Sequence, residues 1–156
     1  MNNLEENKKV ARAFYEYFCT TESDRVGKGF DMLSEDSMWC LKGHNTCAMN
    51  DNTGGFIDKK IFMFEMLKTG GSLHPERDSN STFPFGMQQY IYSEVAEGDL
   101  VILEVQSLGF TQVGDVYNNH YSFHFRIRDG KIYECIEYSD TGHANRLIRA
   151  LNQANS

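Results

Sequence analysis

Glu137 lies in the alternating run Cys135-Ile136-Glu137-Tyr138-Ser139, and upstream Asn119, Tyr121 and Phe123 occupy every second position of a similar run. If these residues share one wall of an aromatic pocket, Glu137 loses the solvation of its charged form. Its pKa then rises and favours the protonated acid. A second carboxylate on the same wall would push the two titrations apart, leaving one acid and one base. Glu104, one or two strands away, is the candidate partner. Tyr121 and Asn119 are candidates to donate hydrogen bonds to a substrate oxygen or a developing enolate. Such a set suits proton movement beside a carbonyl: isomerisation, aldol-type cyclisation or dehydration. It needs no nucleophile, metal or nucleotide.

The face that carries Glu137 depends on the hairpin at Asp129-Gly130. A two-residue type I′ turn pairs Ile127 with Ile132 and puts Glu137 on a polar face with His120, Ser122, His124 and Arg126. A three-residue turn with Gly130 as a left-handed bulge pairs Ile127 with Lys131. Glu137 then faces Tyr121 and joins Asn119, Phe123, Phe125, Cys135 and Ser139, the make-up of a ligand-site wall. The residues alone permit both turns.

Around this hairpin the chain alternates clear elements with turn signals. Val10, Phe14, Tyr17 and Phe18 fall at helical spacing in a first helix, with Asn3 and Glu6 as a capping box. A short helix is predicted over 24–33, a short strand over 37–41 and a third helix over 58–68. The Gly/Ser/Pro-rich stretch 70–86 reads as a long loop. Four strands are predicted over 87–95, 100–110, 117–127 and 131–139, joined by links short enough for an antiparallel meander. A last helix is predicted over 141–152, capped by Asp140 or Thr141. Helices followed by a long antiparallel sheet make an α+β domain, one unit over residues 1–156. The 100–110 strand is apolar on both sides, Val101, Leu103 and Val105 against Leu100, Ile102 and Leu108. Helices would cover one face and a second subunit the other, so a homodimer is expected.

Composition excludes several classes. Net charge is −7 with scattered basic residues, which argues against nucleic acid. No apolar run suits a membrane span or a signal peptide, so the expected setting is the cytoplasm, without a membrane partner. Cys19, Cys40, Cys47 and Cys135 have no paired spacing and read as free thiols. His120 and His124 share a face but lack a third ligand, so no metal is expected. There is no nucleotide-binding or Ser-hydrolase fingerprint, and no cofactor is expected.

The motifs LSEDSMW (33–39), EGDLV (97–101), YNNHY (117–121), DGKI (129–132) and EYSDT (137–141), in this order, resemble the SnoaL-like, ketosteroid-isomerase-related branch of the nuclear-transport-factor-2-like superfamily. The resemblance covers nearly the whole chain. It implies a cone-shaped fold, with helices on a curved antiparallel-rich sheet around a pocket for a small hydrophobic molecule. Polyketide cyclases, ketosteroid isomerases, limonene-epoxide hydrolases and PhzA/PhzB proteins resemble it, as do proteins without known activity. The isomerases' Asp base falls at Leu41, which cannot take a proton, while their helix-one tyrosine falls at Tyr17. The epoxide hydrolases' Arg and Asp fall at Glu104 and Gln106, so that chemistry is not expected. The glutamate of PhzA/PhzB proteins falls at Glu137, and the family's matching acid faces its pocket, which favours the bulged hairpin. The resulting site has Glu137 and Glu104 as catalytic acids, with Tyr17, Trp39, Leu41, Gln106, Asn119, Tyr121, Phe123 and Ser139 around the substrate. The expected activity is a cofactor-independent acid–base enzyme of isomerase, cyclase or lyase type, acting on a polyketide- or steroid-like compound. The alternative is a non-catalytic ligand pocket or dimeric interaction module.

Overall fold

In the computed structural model, the described residues are 4–18, 23–42, 56–60, 88–110 and 115–154. Helix α1 (Leu4–Phe18) and helix α2 (Ser23–Asp31) precede strands β1 (Leu33–Lys42) and β2 (Phe56–Asp58). Strands β3 (Gln88–Glu97), β4 (Leu100–Phe110), β5 (Val116–Arg128) and β6 (Lys131–Ser139) follow, then helix α3 (Thr141–Ala154). The helix expected over 58–68 lies outside the described residues beyond Lys60, as does the loop expected over 70–86.

The strands form one six-stranded sheet in the order β2-β1-β6-β5-β4-β3. The meander β3 to β6 is antiparallel, as the short Gly-Asp and Asp-Gly links require. Strand β1 joins it by running parallel to β6, with Trp39 beside Cys135 and Leu41 beside Glu137. Nothing local in the sequence announces that pairing.

Alternate residues of β4 define the two faces. Val101, Leu103, Val105 and Ser107 are buried, while Glu104 between them is exposed. The buried side faces α1, whose Ala11, Phe14 and Tyr15 pack against it at i, i+3 and i+4 spacing. The ring of Phe14 meets Trp39 and Phe125 at 5.6 Å each, and Tyr15 meets Phe123 at 5.8 Å. Burying each such apolar side chain contributes roughly 1.5–3 kcal/mol. At the sheet edge Arg12 of α1 binds Glu94 of β3 at 2.5 Å. The helix stripe thus runs through Tyr15; Tyr17, expected in that stripe, is only half-buried. The two spacings are equally helical, and contact with β4 and β5 selects between them.

The hairpin differs from the three-residue turn that the resemblance favoured. Asp129 and Gly130 both take positive φ, 53° and 73°, and close a two-residue turn. Arg128 pairs with Lys131 and Ile127 with Ile132. Asp-Gly is the sequence best suited to a type I′ turn, whose twist matches that of the strands. The bulge is real but lies further on. The next pair is Arg126 with Glu134, so Tyr133 is the extra residue. Beyond it Glu137 stands opposite Phe123, rather than Tyr121 as the Gly130 bulge required, and it remains on the inner face.

Adjacent residues on β4 separate the two faces by experiment. Leu103→Ala is expected to lower unfolding free energy by roughly 2–5 kcal/mol. Glu104→Ala should change it by less than about 0.5 kcal/mol. Urea denaturation of both variants checks the assignment.

Candidate active site

Strand β6 carries Glu137 into the inner layer, where it is 5% exposed. Trp39 enters the same layer from β1, one inner position earlier in the parallel register. Its indole reaches along the strand, and Nε1 donates to Glu137 Oε2 at 3.1 Å. Trp39 is itself buried, with its ring 6.2 Å from both Phe123 and Phe125 in edge-on contact. Burial pushes the Glu137 carboxyl from its ordinary 4.5 up to about 7, and the Trp39 N–H offsets only part of that rise.

The wall beside the acid is an aromatic ladder along β5. Tyr121 stacks on Phe123 at 5.3 Å, and Phe123 stacks on Phe125 at 5.4 Å. Ser139 pairs with Tyr121 at the far end of the ladder. There the Tyr121 hydroxyl is hydrogen-bonded to that of Tyr117, a buried residue that sequence reasoning did not single out. Asn119 is buried, but its amide is engaged. Its Oδ1 accepts from the Asp140 backbone N–H at 3.1 Å, and its Nδ2 donates to Tyr117 Oη at 3.4 Å. It therefore ties β5 to the start of α3. Asp140 caps that helix, accepting from the His143 N–H at 2.9 Å, as expected of a helix cap.

The structure thus brings Trp39, Asn119, Tyr121, Phe123, Glu137 and Ser139 to one face. It does not bring Glu104 or Gln106 there. Glu104 pairs with Ser122 on the outer face and is exposed. Gln106 pairs with His120 on that face and donates to Asn118 Oδ1 at 2.6 Å. The expected two-carboxylate wall is corrected accordingly: strand alternation separates Glu104 from Glu137. Glu94 does share the inner side, but Arg12 and Lys8 hold it, at 2.5 and 3.9 Å. Tyr17 lies half-buried in the last turn of α1, whereas Tyr15 of the same helix is fully buried and donates to the Gln106 carbonyl at 2.9 Å. Tyr15 was legible in principle from its i, i+4 spacing with Ala11. Leu41 is level with Glu137 on β1, and its side chain lies outside the described residues.

His120 and His124 lie on the outer face, against Tyr92 and Tyr138 respectively. Partial burial lowers the His124 pKa. Among the described residues no three His, Cys, Asp or Glu side chains form a metal-binding group. Cys40 and Cys135 are buried free thiols, and burial, then the neighbouring Glu137 charge, holds the Cys135 thiol well above its ordinary pKa. Cys19 and Cys47 lie outside the described residues.

Solved structures share this architecture. An NTF2-like protein from Anabaena variabilis superposes with a TM-score of 0.65 at 22% identity, over 89% of this chain and 93% of that one. IdmH, a candidate polyketide cyclase from Streptomyces antibioticus, does so with 0.65 at 17% identity, over 91% and 97%. AclR, a candidate hydroxylase from Streptomyces galilaeus, does so with 0.67 at 15% identity, over 94% and 83%. No family model matches the chain, and no curated protein matches it. The chain has the nuclear-transport-factor-2-like fold, and at these identities the likeness establishes the fold alone. No helix among the described residues is long and apolar enough to cross a membrane.

Trp39 is the only tryptophan in the chain, so its emission reports on Glu137. Titration of wild-type emission is expected to show a step centred near 7, absent in Glu137→Gln. Stability carries the same signature. The raised folded pKa leaves stability intact below about 4.5 and removes it as pH rises through about 7. Relative to wild type, Glu137→Gln should therefore gain about 3 kcal/mol across that window. Denaturant unfolding at a series of pH values measures the gain.

Proposed function

We propose that the chain is a cofactor-independent acid–base enzyme of isomerase, cyclase or lyase type, acting on a small apolar molecule that carries a carbonyl. The observation that carries this reading is the Glu137 carboxyl, buried in the inner layer and bonded to Trp39, where burial pushes its pKa up to about 7. A group with a pKa near the working pH is populated as both acid and base, which proton transfer to and from carbon requires. Glu137 takes the proton beside the carbonyl and returns it elsewhere. Tyr121 and Tyr117 are the proposed donors to the developing enolate oxygen, and Trp39, Phe123 and Ser139 the proposed binding surface. The candidate polyketide cyclase among the structural neighbours supports a polyketide-like substrate.

Leu41 favours a second reading. It stands level with Glu137, at the position where the resemblance to ketosteroid isomerases implies a base, and a site lacking that base suits ligand binding without turnover. The two readings part on one measurement. In D2O, the bicyclic aryl ketone α-tetralone is expected to lose its α-proton NMR signal faster with the protein than in buffer. Glu137→Gln should slow that exchange roughly 10²–10⁴-fold, and Glu104→Gln should leave it unchanged. Quenching of Trp39 by the ketone without exchange would support the binding pocket instead.

We also propose a homodimer through the outer face of the sheet. Tyr90, Tyr92, Val95, Val116 and Tyr138, all large and exposed, lie on that face. A two-fold contact lets one such patch cover its own copy. Tyr92→Glu combined with Val95→Asp is expected to halve the mass measured by light scattering. A mass equal to that of the wild-type protein would exclude this surface.

A further inference from the structure

The two-residue turn and the position of Glu137 are in conflict unless something intervenes between them. A regular ladder continued from the Ile127–Ile132 pair would set Glu137 opposite Ser122, on the outer face. That register is not poor in apolar contacts. It would turn Ile136 toward Phe123 and Tyr138 toward Tyr121, while burying Glu134 beside Phe125. The observed register instead buries Cys135 and Glu137 and leaves Tyr138 exposed. Hydrophobic pattern alone therefore does not decide between them, and one extra residue at position 133 does.

That residue is anchored from several directions. Tyr133 Oη donates to Asp99 Oδ2 at 2.5 Å, from β6 to the turn between β3 and β4. Arg126 Nη1 donates to the other Asp99 oxygen at 2.8 Å, and Arg126 Nε lies 3.3 Å from Glu134 Oε1. The Asp99 carbonyl accepts from the Ile127 N–H at 2.9 Å. The Arg128 guanidinium covers the Tyr133 ring at 4.7 Å and also binds Asp36 of β1 at 2.8 Å. Every group in this set sits within reach of the bulge, and none is part of the proposed substrate surface.

We infer that Tyr133, held by Asp99 and Arg128, is a positioning residue for Glu137: the anchored bulge selects the register that turns the acid inward. The inference rests on the reading that an inward Glu137 is the working acid, but it concerns the position of that side chain, not turnover. The charge state of the anchor agrees with it. The hydrogen bond from Tyr133 holds the Asp99 carboxyl below its ordinary range, and the same bond pushes the Tyr133 hydroxyl up. The bulge also explains why the extra residue is aromatic and hydroxylated. A ring is needed under the Arg128 guanidinium, and an O–H is needed to reach Asp99.

Three variants test it, of which one shortens the chain. Tyr133→Gly keeps the extra residue and removes its anchor. It is expected to lose the Trp39 emission step near 7 and the cross-strand NOE contacts of Glu137 with Phe123, replaced by contacts with Ser122. Deleting Tyr133 removes the extra residue itself, so Arg126 still meets Glu134 and Phe123 still meets Glu137. That deletion is expected to keep both signals, which a merely destabilising lesion would not do. Tyr133→Phe, which keeps the ring over Arg128, should fall between wild type and Tyr133→Gly. An unchanged emission step and unchanged Phe123 contacts in Tyr133→Gly would overturn the inference. Loss of both signals in the deletion variant would overturn it too, and would do so even if Tyr133→Gly failed to fold. Loss of α-tetralone exchange in Glu137→Gln bears on the function alone, so the two conclusions fail separately.

Discussion

The hydrogen bond from the Trp39 indole to the Glu137 carboxyl, 3.1 Å long and shut away from water, is the contact on which the rest of the site turns. A carboxylate moved out of water without full compensation is costly, and one indole N–H compensates only in part. The result is an acid that titrates near 7 instead of near 4.5. Indole suits this task because it donates and does not accept, so it favours the charged form without competing for the proton. It can hold that position only because other elements hold it. Phe14 of α1 packs on its ring, and Phe123 and Phe125 meet it edge-on. Helix α1 is in turn fixed to the sheet by Arg12 on Glu94 and by Tyr15 on the Gln106 carbonyl.

Because strand side chains alternate, the sheet divides its chemistry between two faces. The inner face holds the acid and its aromatic ladder. The outer face holds Glu104, Gln106, His120 and His124 with the exposed tyrosines. Any change of one residue in register exchanges these sets on the strand concerned. The sheet has an extra residue at Tyr92 as well as at Tyr133. Each bulge adjusts facing locally while the ladder on either side stays regular.

Element boundaries were legible in the sequence wherever turn chemistry is local. Strand β4 begins after Gly98-Asp99, and β6 begins after Asp129-Gly130 and ends before Asp140, as the turn chemistry says. The inward facing of Glu137 was also anticipated, but for a turn the chain does not make. Asp129-Gly130 follows its own local preference, and the bulge lies at Tyr133, anchored by Asp99 more than thirty positions away in sequence. No window around the hairpin contains that partner. The facing of Glu104 is hidden in the sequence for a related reason. Leu100 to Gln106 is apolar on both sides, so its pattern does not say which side α1 covers. The parallel pairing of β1 with β6, which supplies Trp39, is likewise non-local. Tyr15 and Tyr17 each fit a helical stripe, and tertiary packing buries Tyr15 against Phe123 while Tyr17 stays half-buried.

The outward facing of Glu104 narrows the proposed chemistry. With Glu104 facing outward and Glu94 tied to Arg12, no second carboxylate of the described sheet is positioned to serve as a separate base. Among the described residues, Glu137 is then the group proposed both to remove a proton and to deliver it. That requires the two substrate carbons to lie on the same side, within reach of one carboxyl, and it requires the intermediate to survive while the proton is held. An enolate survives if its oxygen is stabilised, and donors fixed in advance are worth most where water is excluded. The linked hydroxyls of Tyr117 and Tyr121, further along the same face, are the groups in the described structure best suited to that role. Proton shuttling within one substrate is the chemistry that the described inner face, with its single acid outside an ion pair and its linked tyrosine hydroxyls, suits best.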